Sequence, residues 1–475
     1  MSSKKSIGIL IERELLSKHL EYTLQTIFAD FLGLTYEILL PSEWKEENFE
    51  LSLFYGDKIE KMENCQIIIH PSDFWSNFLQ KDSMPQLPLN HYTGTELKKV
   101  IKRKTLPILF VSEKRAHSDR DFLIANKQVI MNIDIFASIF FMLSRYEEMI
   151  IEEEDEHGRF PASKSFSLQA EILTRPIVNE YLEFLWYWMK KIKPELTRKE
   201  KQFQLYLSHD IDELKLWTLR KRIAFFIKTI IRDKSLIKLL NFCWRNFLWL
   251  FMFPKNPFKF INQQSNKFYV KSHFFFLLDG TSKYDNRINY QSKKFQRILQ
   301  YLEKNGHEIG LHSSYSSHLH LEQLKKEKKL LQRYTKTPIT SVRGHYLRFK
   351  VPTSYSLIDE CSFKIDSTLG YSSSFGYRAG VCYPFRPYNI RTQEIASFYE
   401  YPLIAMDVTL ISKKRAGLKP KETQNLLESL MDEIAFYQGT FVLLIHNHSL
   451  ENLEYPWRRI YKNVLKHYST IIDNE

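Results

Sequence analysis

At 475 residues the chain is too long for one ordinary hydrophobic core, so two or three domains are expected. Its 44% apolar and 26% charged residues are ordinary for a soluble globular protein, and the net charge of +13 suggests an anionic partner without separating nucleic acid from membrane. Four cysteines, Cys65, Cys243, Cys361 and Cys382, show no C-x-x-C spacing, which speaks against a disulfide framework and for buried free thiols.

The first residues, "MSSKKSIGILIERELLSKHLEYTL", contain no apolar run long enough for an export signal, so a cytoplasmic chain is expected. Up to about residue 110, short apolar runs such as "SIGILI", "CQIIIH" and "LPILFV" alternate with helical stretches and read as a small α/β unit. An apolar helix with an acidic end follows over Asp134 to Phe160, then a helix opening near Pro176. The charged "PELTRKEKQ" places a domain break near residue 200, giving an N-terminal domain of 1–200 and a second domain of 201–475.

From Gln202 the pattern changes. "FQLYLSHDID", "KSHFFFLLDG", "HEIGLHSS", "ITSVRGH", "FKIDSTLGY" and "GTFVLLIHNHSL" read as strands, with helices such as "KKFQRILQYLEKNG" and "LEQLKKEKKLLQRY" between them. Strands alternating with helices imply a parallel sheet, here closed or nearly closed into a (β/α) barrel whose polar strand ends carry the chemistry. Between Lys215 and Lys259 lies an insertion with eleven Lys or Arg and one acid, Asp233. Its charges interrupt any clean membrane span. Rich in Trp and Phe, it reads either as an interfacial helix on an anionic membrane, reaching the inner face of the cell membrane, or as a helical hairpin with basic residues in solvent.

The candidate site is assembled from those strand ends. "HEIGLHSSYSS", residues 307 to 317, begins like a zinc-protease helix, but His307 and His312 are five apart and Gly310 lies between them, so His312 belongs to a strand end. In "SHDID", Asp210 and Asp212 point to one side of a strand; a metal on Asp212 leaves Asp210 free as a base. Arg343 in "VRGHY", Asp366 in "IDSTLGY" and His446 in "LLIHN" end three further strands. Together these residues match metal-assisted hydrolysis: a metal, a base, an orienter and an acid. His209 points away from the Asp pair and reads as packed. No phosphate-cradling loop, nucleophile elbow or nucleic-acid reader motif occurs, so no nucleic acid partner is expected.

Residues 202 to about 450 resemble the polysaccharide deacetylase family, the carbohydrate esterases that share the chitooligosaccharide-deacetylase homology domain. The ordered motifs "SHDID", "EIGLHSSYS", "VRGHY", "IDSTLGY" and "LLIHN" carry the likeness. "YRAGVCYPFRPY", "PLIAMDVTL" and "DIFASIFFMLSRYEE" further resemble a long bacterial subgroup with an uncharacterised N-terminal domain, often found with surface-polysaccharide pathways. The resemblance implies an α/β fold, a distorted (β/α) barrel of the polysaccharide deacetylase type beside a smaller N-terminal α/β domain. It also implies zinc-dependent removal of the N-acetyl group from an acetylamino sugar in a polysaccharide or lipid-linked glycan.

By the same resemblance Asp210 is the general base, and Asp212 and His312 are metal ligands. Arg343 holds Asp210 ionised, the backbone N–H near Tyr346 helps bind the oxyanion, and His446 is the general acid kept charged by Asp366. One departure stands out. The family's second metal histidine falls at Ser316 here, a poor zinc ligand. His345 is the candidate replacement ligand, with His318 and His320 nearby as alternatives, or no third protein ligand at all. In that last case the chain is a glycan-binding pseudoenzyme without a complete metal site.

Overall fold

The structure is a computed structural model that describes residues 5–44, 49–58, 65–77, 83–113, 122–125, 128–214, 256–286, 288–451 and 456–473. The residues group into two compact units. The first holds Met1–Gln204, Phe349–Ile404 and Glu433–Thr440; the second holds Leu205–Arg348, Ala405–Asp432 and Phe441–Glu475. Residues 349–404 and 433–440, which a single break near residue 200 leaves with the second domain, thus group with the first. They are tied there by side chains: Tyr388 pairs with His19 at 3.0 Å, Arg386 with Asp30 at 3.1 Å, and Tyr22 donates to the Arg386 carbonyl. Within this unit Glu148 of "RYEE" bridges the buried guanidinium groups of Arg145 and Arg378.

The first unit is built on a six-stranded sheet in the order Tyr36–Leu39, Lys5–Ile11, Phe49–Tyr55, Ile67–Ile69, Gln128–Met131, Phe122–Ala125. All its pairs are parallel except the last. The second unit carries a larger sheet whose strands run in the order Ser341–Gly344, Glu308–Ser313, Ser272–Phe276, Gln204–Ile211, Thr440–Leu444, Ala405–Met406; only the first residues of two of them, Gln204 and Thr440, group with the first unit. Every pair in this larger sheet whose register is described is parallel. In the first unit two short strands, Ile365–Asp366 and Tyr399–Glu400, also pair in parallel. The α/β class and the barrel-type parallel sheet expected from the sequence are borne out.

Curvature of the larger sheet follows from one side chain. Arg343 and Asp210 sit three strands apart, at about 4.8 Å per step, and on a flat sheet both would stand perpendicular and parallel. Yet Arg343 donates to Asp210 Oδ1 at 3.0 Å and to Ser208 Oγ at 2.9 Å, so the sheet must curl around them. Gly310 makes room for this. A Cβ there would lie 2.4 Å from Ser341 Oγ and 2.7 Å from the Phe275 ring, the ring on which the Arg343 guanidinium rests at 4.5 Å. Gly310→Ala is therefore expected to lower stability by about 1–3 kcal/mol through overpacking, read as a fall in denaturant midpoint.

The outer helices follow their sequence signals. Lys293–Lys304 begins at Ser292, whose hydroxyl accepts from Phe295 N–H, buries Phe295, Ile298, Leu299 and Leu302, and stops before Gly306 at φ +78°. Cys65, Cys361 and Cys382 are buried thiols; Cys243 lies outside the described residues. So does nearly all of the basic insertion expected at 215–260 as a membrane-contacting segment. Among the described residues no helix is long and apolar enough to cross a membrane.

Candidate metal centre

Parallel strands of the second unit deliver their C-terminal ends to one place. Asp210 and Asp212 come from the end of Gln204–Ile211, His312 from Glu308–Ser313, and His345 from the turn just after Ser341–Gly344. His312 Nε2 stands 3.4 Å from Asp212 Oδ1 and 3.6 Å from Asp210 Oδ2, so the two carboxylates converge on one imidazole. His345 Nε2 is 3.9 Å from the same Asp212 Oδ1. Asp212, His312 and His345 each offer a ligand atom, and these atoms all lie within 4.8 Å of one another.

The donor set fits a divalent cation on three grounds. Bonds of about 2.0–2.1 Å at tetrahedral angles hold ligand atoms about 3.3 Å apart, close to the 3.4 and 3.9 Å found here. Asp212 Oδ1 is buried and receives no hydrogen bond, a costly state for a carboxylate oxygen that a cation would relieve. Both imidazoles also have their tautomer set from behind. His312 Nδ1 lies 2.9 Å from the Arg343 carbonyl, which can only accept, and His345 Nδ1 lies 3.0 Å from Asp285 Oδ1. Each ring thus donates through Nδ1 and turns the Nε2 lone pair toward Asp212. Two imidazoles and a carboxylate are ligands that zinc accepts.

The charges agree with this convergence. Burial would raise the Asp212 carboxyl, but His312, His446 and His345 hold it well below the usual carboxylate range. Burial would lower His312, but Asp210 and Asp212 outweigh it and raise its pKa. Asp210 is buried against the fully buried Arg343, which leaves its Oδ2 toward the site.

His446 follows the strand Thr440–Leu444, and here the structure corrects the sequence reading. The carboxylate on His446 Nδ1 is Asp407 at 2.7 Å, not Asp366. Asp407 also accepts from His446 N–H at 2.9 Å. The reason is strand order: Ala405 pairs with Leu443 and Met406 with Leu444, so one step further Asp407 falls opposite Ile445, next to His446. Burial opposes charge on His446, yet Asp407 prevails and its pKa is raised to about 9. Asp366 belongs to the first unit, where it accepts from Thr368 Oγ1 at 2.5 Å and where burial, and then its own charge, push the Glu400 carboxyl well up.

The remaining expected residues are placed as follows. Tyr346, next to His345 with ring centroids 4.8 Å apart, has a left-handed backbone at φ +62°, a strained position for a non-glycine residue. Ser316 lies in the turn after the His312 strand, at the start of the short 3-10 helix Ser317–Leu319, and His318 and His320 are outside the ligand cluster. His209 is packed, with Nδ1 on the Ile445 carbonyl at 2.7 Å. His448 sits 4.9 Å from His446, ring to ring, and burial together with His446 pushes its pKa down. Two residues without a role in the sequence reading, Asp285 and Asp407, are the acceptors behind His345 and His446. Asp407 lies inside "PLIAMDVTL", one of the segments that carry the family resemblance; Asp285 has no motif around it.

Comparison with known proteins adds the following. Residues 9–194 match the model of a family of unknown function, DUF7033. No curated protein matches. Similar solved structures include one from Mycobacterium smegmatis described as a candidate polysaccharide deacetylase, 14% identical over 57% of this chain and 85% of that one, TM-score 0.36. A CE4 family pseudoenzyme from Bacillus anthracis is 12% identical over 58% of this chain and 60% of its own, TM-score 0.27. The carbohydrate deacetylase Agd3 is 8% identical over 98% of this chain and 84% of its own, TM-score 0.34. At such low identities and scores these likenesses do not carry chemistry over to this chain.

Proposed function

We propose that the second unit is a metal-dependent N-deacetylase acting on an acetylamino sugar in a polysaccharide or lipid-linked glycan. The observation that carries the reading is the meeting of Asp212, His312 and His345 beside an arginine-held carboxylate and a carboxylate-held histidine. Asp212, His312 and His345 would hold a divalent cation, most simply zinc, which would supply polarisation of the acetyl carbonyl and a water of lowered pKa.

The chain's own groups divide the proton work. Asp210, fixed by Arg343, takes a proton from the attacking water as the new C–O bond forms. The backbone at Tyr346 is the proposed donor to the developing oxyanion. His446, kept protonated by Asp407, gives a proton to the nitrogen as the C–N bond breaks, so the products are acetate and a free amine. The motif resemblance supplies the sugar; the site geometry supports the hydrolysis.

The test is acetate release from acetylated amino-sugar oligomers by the full chain loaded with zinc. Release is expected to stop on chelation and to return with zinc. A chain that binds zinc and the oligomer but releases no acetate under any metal loading contradicts the enzyme reading. A chain that binds the oligomer and no metal is instead the glycan-binding protein that Ser316 would leave. Contact between residues 215–260 and an anionic membrane is a separate proposal, motivated by composition alone. Liposome sedimentation of the full chain and of a form lacking residues 220–258 decides it, the shortened form being expected to stay in solution.

A further inference from the structure

Behind His345, on the side away from Asp212, a short loop is organised around one carboxylate. Asp285 is almost fully buried, with 1% of its side chain exposed. Its Oδ1 accepts from His345 Nδ1 at 3.0 Å and from the Tyr315 backbone N–H at 2.9 Å. Its Oδ2 accepts from the Ser282 backbone N–H at 3.2 Å. The loop makes space for this group by a backbone that an L side chain rarely adopts: Gly280 has φ +139°, and a Cβ there would lie 2.4 Å from Asp285 Oδ2.

The arrangement does two things at once. The carboxylate fixes which ring nitrogen of His345 carries the proton, and therefore turns the Nε2 lone pair toward Asp212, 3.9 Å away. By holding Tyr315 N–H with the same oxygen, it also ties the turn that follows the His312 strand to the turn that carries His345. His312 needs no such device, since its Nδ1 is held by a strand carbonyl. His345 lies beyond the strand end, where nothing in a sheet would orient a side chain.

We propose that Asp285 is the positioning residue that makes His345 a metal ligand, and that this loop replaces the ligand missing at Ser316. The inference rests on the metal reading above and names what completes that site. Carboxylate partners of this kind commonly contribute about 10–100-fold in metal affinity.

The test is zinc titration of the metal-free full chain against a chelating dye, for wild type, Asp285→Ala and Asp285→Asn, with unfolding of each metal-free form measured alongside. Wild type is expected to bind one zinc, and Asp285→Ala to bind it about 10–100-fold more weakly. Asp285→Asn keeps the shape and one acceptor oxygen but not the charge, and should fall between the two. Cobalt substitution gives a second readout: the visible absorption bands should change in Asp285→Ala as a nitrogen ligand loosens. Wild-type zinc affinity and an unchanged cobalt spectrum in either variant would overturn the role of Asp285 while leaving the metal site standing. If wild type itself binds no zinc, the metal reading and this inference fall together.

Discussion

Asp407→Asn is expected to lower the rate of deacetylation by about 10²–10⁴-fold, the range in which a positioned general acid contributes. Asp407 is fully buried and holds both the Nδ1 and the backbone N–H of His446. It is what keeps His446 protonated up to about pH 9 despite burial. Without that charge, burial acts unopposed, and the alkaline limb of the pH–rate profile should move down by about 1–3 units. The stability effect has the same sign. His446 is raised above its unfolded value near 6.5, so the pair stabilises fully below about pH 6.5 and loses this contribution as pH rises through about 9. An unshifted profile in Asp407→Asn would show that another group delivers the proton. Asp366→Asn, by contrast, should leave the limb where it is.

The second large effect is on folding. Arg343→Met removes the cation that two buried oxygens face, Asp210 Oδ1 and Ser208 Oγ. An uncompensated buried charge costs about 3–5 kcal/mol, whereas loss of a surface pair costs well under 1 kcal/mol. The metal-free protein should therefore lose about 3–5 kcal/mol in denaturant unfolding. Adding Asp210→Asn in the same chain should recover a substantial part of it, because the stranded charge is then gone. A double variant as unstable as Arg343→Met would mean that packing against Phe275, not charge, explains the loss.

What was legible in the sequence was what strand periodicity and motif spacing carry. Asp210 and Asp212, two apart, fall on one side of a strand, and His312 and Arg343 sit at the ends of recognisable apolar runs. The structure brings these four together with His345, the replacement ligand that the poor zinc ligand Ser316 calls for. The errors have a common cause. Choosing Asp366 rather than Asp407 as the partner of His446 required knowing which strand lies beside Thr440–Leu444. That neighbour, Ala405–Met406, is only two residues long and leaves no periodic trace. Asp285 lies in an irregular loop whose only local marker is Gly280. The passage of 349–404 into the first unit depends on side-chain pairs such as Tyr388 with His19, 369 residues apart, which composition cannot reveal.

The central claim is that one divalent cation is held jointly by Asp212, His312 and His345. Anomalous diffraction at the zinc edge, from crystals of the full chain grown with zinc, measures this most directly. The account predicts a single strong peak about 2 Å from Asp212 Oδ1, His312 Nε2 and His345 Nε2. A peak that leaves His345 uncoordinated, or that lies away from Asp212 and His312, would contradict it.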